Sequence, residues 1–224
     1  MRVDCFRIPV RNNMAEYRTK YDEYYQSALE LFTRTGSVDN VFDYVDSLIE
    51  NEGAYRDVTL GKVAVVLASK HQIDDALRFC LAILDSVERA DSLLKVSRTL
   101  KAQGLREAAR EFLGRVVREA ATAEHFEDTA MVYLQTADAY ANCDSQPEAM
   151  RLLRRAIDLV KPSPQSFEGG KTLRGCARLL ARWGYVSEAV NVAQLIELPK
   201  LRASAIEEVQ GKGRWPVHPD SPIV

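Results

Sequence analysis

The chain has 224 residues, 46% of them hydrophobic and 28% charged, with a formal net charge of −2. That balance excludes a globally disordered chain, and it removes any overall pull toward nucleic acid or an anionic membrane. No apolar run approaches the ~18 residues of a membrane span, and the opening MRVDCFRIPVRNNMAEY has no signal-peptide core, so the sequence reads as cytoplasmic with no membrane partner.

Residues 1–13 are mixed in character and read as a flexible or extended leader. From Met14 the pattern is helical almost throughout: Ala, Leu, Glu and Arg dominate, apolar residues recur every three or four positions, and no stretch alternates as a strand does. No proline lies between Met14 and Asp144, while Pro162, Pro164 and Pro199 mark helix ends. The expected fold class is therefore all-α, with a helical-repeat domain over 14–210 and an irregular, proline-rich tail over 211–224. In that tail Trp215 is read as an aromatic that packs back on the repeats.

Four segments align on small residues twelve apart: Ala64 with Ala76, Ser97 with Ala109, Ala137 with Ala149, and Ala177 with Ala189. A fainter copy precedes them, with its turn at Gly36 and its second anchor at Val41. Small side chains let two antiparallel helices approach closely, and larger ones such as Leu67, Ile83, Leu100, Val116, Tyr140, Ile157 and Leu180 fill the space beside them. A lone hairpin leaves one face bare, so such units occur stacked. The second anchors are 35, 33, 40 and 40 residues apart, and the two long spacings predict longer linkers around TAEHFED and KPSPQSFEGG.

The segment LRGCARLLARWGYVSEAVNVAQLIEL, with Leu173, Cys176, Ala177, Leu180, Gly184, Ala189 and Ile196, resembles the tetratricopeptide-repeat family, whose unit is a helix-turn-helix of about 34 residues. The resemblance spans roughly residues 20–205 and implies a right-handed superhelical array, a TPR-like α-solenoid of about four or five hairpins. In two copies His71 and Asp144 stand where the family has a turn glycine. The stretch GSVDNVFDYVDSLIENEGAYRDVTLGKVAVVLASKHQIDDAL also resembles the pentatricopeptide family, which would imply single-stranded RNA binding. The irregular later spacing and the negative charge disfavour it.

Chemistry is sparse. His71, His125 and His218 have no second metal ligand at helical spacing. Cys5, Cys80, Cys143 and Cys176 form no C-x-x-C pair and read as reduced thiols, Cys80 and Cys176 as small buried hydrophobes. EGGKT, residues 168–172, imitates the end of a phosphate-binding loop, but position 165 is Gln and KPSPQSF replaces the preceding strand, so it reads as a flexible lead into a helix. No cofactor, metal site or catalytic residue is expected.

The family resemblance assigns binding to the first helix of each hairpin. The stripe of each first helix that avoids the anchors is Glu23, Gln26, Glu30 and Arg34; then Val58, Gly61, Val65 and Ser69; Asp91, Leu94, Arg98 and Ala102; Met131, Leu134, Asp138 and Asn142; and Lys171, Arg174, Arg178 and Arg182. The groove so read runs from acidic through apolar to basic, with residues 15–53 at net −6 and residues 89–118 at net +5. Like charges at i, i+4 cost a helix a few tenths of a kcal/mol per pair, so the last stripe reads either as a solvated face or as the seat of an anionic group such as an acidic peptide or a chain-terminal carboxylate. The expectation is a non-enzymatic adaptor that holds a peptide or partner helix, with Val58, Val65 and Leu94 as apolar contacts and Arg98, Lys171, Arg174, Arg178 and Arg182 as charged ones. Rival readings are single-stranded RNA binding through the same stripe and a regulatory or sensor domain autoinhibited by its tail. An unfilled apolar groove would also favour homo-oligomers.

Overall fold

A computed structural model describes residues 14–211 apart from 124 and 164, with side chains given for 22–48 and 55–211 apart from those two. The leader and the tail after Gly211, with Cys5, Trp215 and His218, lie outside the described residues. Eleven helices make up the described chain: α1 Met14–Thr35, α2 Val38–Asp46, α3 Ile49–Ser69, α4 Ile73–Leu81, α5 Ser86–Ala102, α6 Arg106–Ala120, α7 Phe126–Ala141, α8 Gln146–Val160, α9 Phe167–Arg182, α10 Val186–Gln194 and α11 Pro199–Val209. They pair as five hairpins, α1/α2 to α9/α10, and α11 closes the array.

Four of the hairpin turns share one hydrogen-bond scheme. After α3, the Gln72 N–H donates to Leu67 O and the His71 N–H to Ala68 O, each at 3.0 Å; Leu105/Gly104, Ser145/Asp144 and Tyr185/Gly184 repeat the same two bonds. This is the Schellman ending, which needs one residue in the left-handed region. Gly104 and Gly184 supply it at φ 82° and 88°, and His71 and Asp144 take it at 63° and 60°. The residue after it opens the next helix, its carbonyl accepting from the N–H of the second anchor, as Gln72 O does from Ala76 at 3.0 Å. One six-residue device thus ends one helix, starts the next and fixes their antiparallel approach. The eight anchors are all buried, Ala at seven positions and Ser97 at the eighth.

Between hairpins the side chains of Asp85 and Ser166 cap α5 and α9, accepting N–H bonds from Val87 and Glu88 and from Gly169. The 40-residue spacings arise mainly from longer second helices rather than from longer linkers. Helices α6 and α8 have 15 residues each, against nine in α2, α4 and α10. EGGKT is likewise not a flexible lead. Gly169 and Gly170 are buried inside α9, and a Cβ on Gly170 would lie 2.8 Å from Leu201 Cδ2, so the glycine admits α11.

Each first helix packs on the next first helix, α1 on α3 through to α9 on α11, and each second helix packs back on the following first helix. No comparable packing joins successive second helices, so the first helices form the tighter layer and the inner face. The core runs unbroken between the layers through Phe79, Leu93, Phe112, Tyr133 and Leu152. Such an array is TPR-like, an all-α solenoid in which each hairpin's bare face is covered by its neighbour. No helix of the described residues is long and apolar enough to cross a membrane.

Candidate functional site

Three residues before their first anchors, Gly61, Leu134 and Arg174 each meet a neighbouring first helix, and Leu94 is buried. Leu94 is only 1% exposed, so the apolar contact expected of it is not available: α5 spends it on the core. Gly61 is buried because Ser92 of α5 presses on it, and a Cβ there would fall 2.2 Å from Ser92 Oγ. Gly175 receives Leu134 of α7 in the same way.

Three of the expected contacts do converge. Val58 and Val65 of α3, half-buried, and Arg98 of α5, exposed, line one cleft of about 520 Å³ that also takes in Tyr25 of α1. Gly61 and Ser92 lie in the same lining, with Ser92 only 3% exposed and its hydroxyl bonded to no described residue. Lys62, Val66, Glu88, Lys95 and Thr99 complete it. A volume of this size matches the dimensions of ligand pockets, and its walls join apolar surface to four charged side chains, Lys62, Glu88, Lys95 and Arg98. Lys62 pairs with Asp22 at 3.3 Å and stands 4.8 Å above the Tyr25 ring, and Lys95 pairs with Asp91 at 2.5 Å. Arg98 pairs with no described carboxylate. Glu88 likewise has no cationic partner among the described residues; partial burial, then Asp91, Asp85 and Asp57, push its carboxyl above the ordinary range against the pull of Lys95.

The cationic stripe of α9 is largely neutralised from within. Arg174 donates to Glu208 of α11, which raises the guanidinium's affinity for its proton. Arg182 donates to Asp138, a stripe residue of α7. Lys171 pairs with Glu168 at 2.9 Å and lies 4.4 Å above the Phe167 ring. Only Arg178 of the four is exposed and unpaired among the described residues. The anions that relieve this stripe are the chain's own, and Arg174 and Arg182 serve to lock α9 to its two neighbours.

No family model matches the chain, and no curated protein matches it. Among solved structures it is similar to Ton1535 from Thermococcus onnurineus NA1, at 17% identity and a TM-score of 0.49 over 84% of this chain and 58% of that one. It is also similar to a Podosopora anserina putative kinesin light chain with nearly identical TPR-like repeats, at 17% identity and a TM-score of 0.48 over 86% and 96% of the two chains. A variant of that protein gives 17% and 0.48 over 90% and 98%. The chain spans less than two thirds of the Thermococcus protein's length.

Sequence reasoning missed a buried polar knot. Arg56, 4% exposed, donates to Asp46 of α2 at 2.7 Å, to its neighbour Asp57 at 2.8 Å and to Ala82 O at 2.9 Å, and Asp57 accepts the N–H groups of Leu84 and Asp85, each at 3.0 Å. Its signal was position. Arg56, Arg89 and Thr129 each stand eight residues before a first anchor, and each reaches the end of a second helix: Arg89 donates to Glu119 at 2.7 Å and Thr129 to Ala120 O at 3.2 Å. The thiols are shielded, since burial pushes Cys80 up to about 12 and raises Cys176 further. Among the described residues no three His, Cys, Asp or Glu side chains gather as metal ligands.

Proposed function

We propose that the chain is a non-enzymatic interaction scaffold that holds a segment of a partner protein against its inner face, anchored in the cleft between α1, α3 and α5. The observation that supports this reading is the convergence of Val58, Val65 and Arg98, from two adjacent hairpins, on one 520 Å³ opening. A groove of this kind takes an apolar side chain of the partner between the two valines while Arg98 meets an acidic group beside it. Arg178 is the second open cation, two hairpins further along, and would meet a second acidic group on a longer segment.

An array of immobilised acidic 15-residue peptides with varied apolar residues tests it. The full chain is expected to bind a subset, with Val65→Asp removing most of the signal and Arg98→Glu weakening it by about fivefold or more. Arg178→Glu should affect only the longer contacts. Spots of equal strength for the chain and for all three variants would count against the scaffold reading.

A further inference from the structure

The cleft carries an unpaired acid and an unpaired base. Glu88 and Arg98 both stand on α5 and both line the opening, ten residues apart, which is about 15 Å along a helix. They are too far apart to neutralise each other, and the charges beside them are already engaged: Lys95 by Asp91 at 2.5 Å and Lys62 by Asp22 at 3.3 Å. Partial burial is the first cause that raises the Glu88 carboxyl, with Asp91, Asp85 and Asp57 adding to it against the pull of Lys95. Between the two ends lie Val58 and Val65 and the unpartnered hydroxyl of the almost fully buried Ser92.

Resting on the scaffold reading above, we propose that the segment bound here is extended and dipolar, with a basic group at Glu88 and an acidic group at Arg98. An extended chain advances about 3.3 Å per residue, so the two charges of the partner stand four or five residues apart, with apolar side chains between them. The side chain or backbone that passes the floor hydrogen-bonds to Ser92 Oγ. A purely acidic segment satisfies Arg98 but sets a like charge against Glu88, so the cleft selects against it. Helix polarity alone also favours an acid in the first turn and a base toward the last. Ligand charge, rather than stability, is therefore the quantity to read.

The test uses the full chain and end-capped, fluorescein-labelled peptides in fluorescence polarisation at low ionic strength. The reference probe is Lys-Leu-Ser-Leu-Asp between glycine-serine flanks; the others carry Asp at both charged places, Lys at both, or Lys and Asp adjacent. The spaced dipolar peptide is expected to bind tightest, and Glu88→Lys and Arg98→Glu each to weaken it by about twofold to fivefold. Glu88→Lys should also shift the preference to the all-acidic peptide, with helicity by circular dichroism unchanged. If the wild-type chain prefers the all-acidic peptide, or ignores the spacing, while Arg98→Glu still weakens binding, the dipolar proposal is overturned and the scaffold reading stands. If none of the four peptides binds, both fall.

Discussion

His71 and Asp144 hold φ of 63° and 60° where the equivalent turns use glycine. For an L-residue that conformation costs roughly 1–2 kcal/mol, somewhat less for His and Asp than for most. His71→Gly is therefore expected to stabilise the chain by about 1 kcal/mol, read from the urea midpoint. Asp144→Gly should gain less, because Asp144 also pairs with Arg106. Glu88 is likewise kept at a cost, here an electrostatic one. A carboxyl raised in the folded state binds its proton more tightly there, so its contribution to stability is full below its unfolded value of about 4.3 and falls as pH rises through the folded one. Glu88→Gln is accordingly expected to stabilise the chain at pH 7, by less than about 1 kcal/mol, with the difference closing near pH 4, as urea midpoints at the two pH values would show. Both turn substitutes were legible in the sequence, because the repeat register predicts a left-handed residue at those positions. The burial of Leu94 was not: the helical period places it on the stripe, and only the contact of α5 with its neighbours turns it inward.

At the scale of elements, the hairpins are held to one another by polar ties as well as by apolar packing. Arg56 joins α2, α3 and the α4–α5 connection in one knot, and both carboxylate oxygens of Asp57 accept hydrogen bonds. Removing one partner of a buried pair leaves the other uncompensated, so Arg56→Ala is expected to cost about 3 kcal/mol in urea unfolding. Arg89→Ala should cost less, since Arg89 and Glu119 keep 21% and 22% of their side-chain surface. The longer spacings were seen in sequence but misassigned to linkers. Helix α6 has no proline and no glycine at its end to show where it stops, so its length follows from packing against α5 and α7 rather than from punctuation. The cationic stripe shows a related limit. Its like charges were legible, but the partners that relieve it, Glu208 and Asp138, lie 34 and 44 residues away from Arg174 and Arg182 and meet them only across the stack.

For the whole molecule, stacking the hairpins creates what no hairpin has alone: a continuous core between the layers and, where α1, α3 and α5 meet, one cleft. The architecture was readable because one spacing rule repeats along the chain. The cleft was half readable, since Val58, Gly61, Val65 and Arg98 lay on the expected stripe, while Ser92 and Glu88 entered only when α3 and α5 were brought into register. In the scaffold proposed above, a partner segment seats between α1, α3 and α5. Hydrogen–deuterium exchange of the full chain, with and without the Lys-Leu-Ser-Leu-Asp peptide, measures that directly. The predicted result is added protection in peptides covering residues 55–66 and 86–100, with α9, α10 and α11 unchanged. Protection confined to α9–α11, or spread over the second helices, would contradict it.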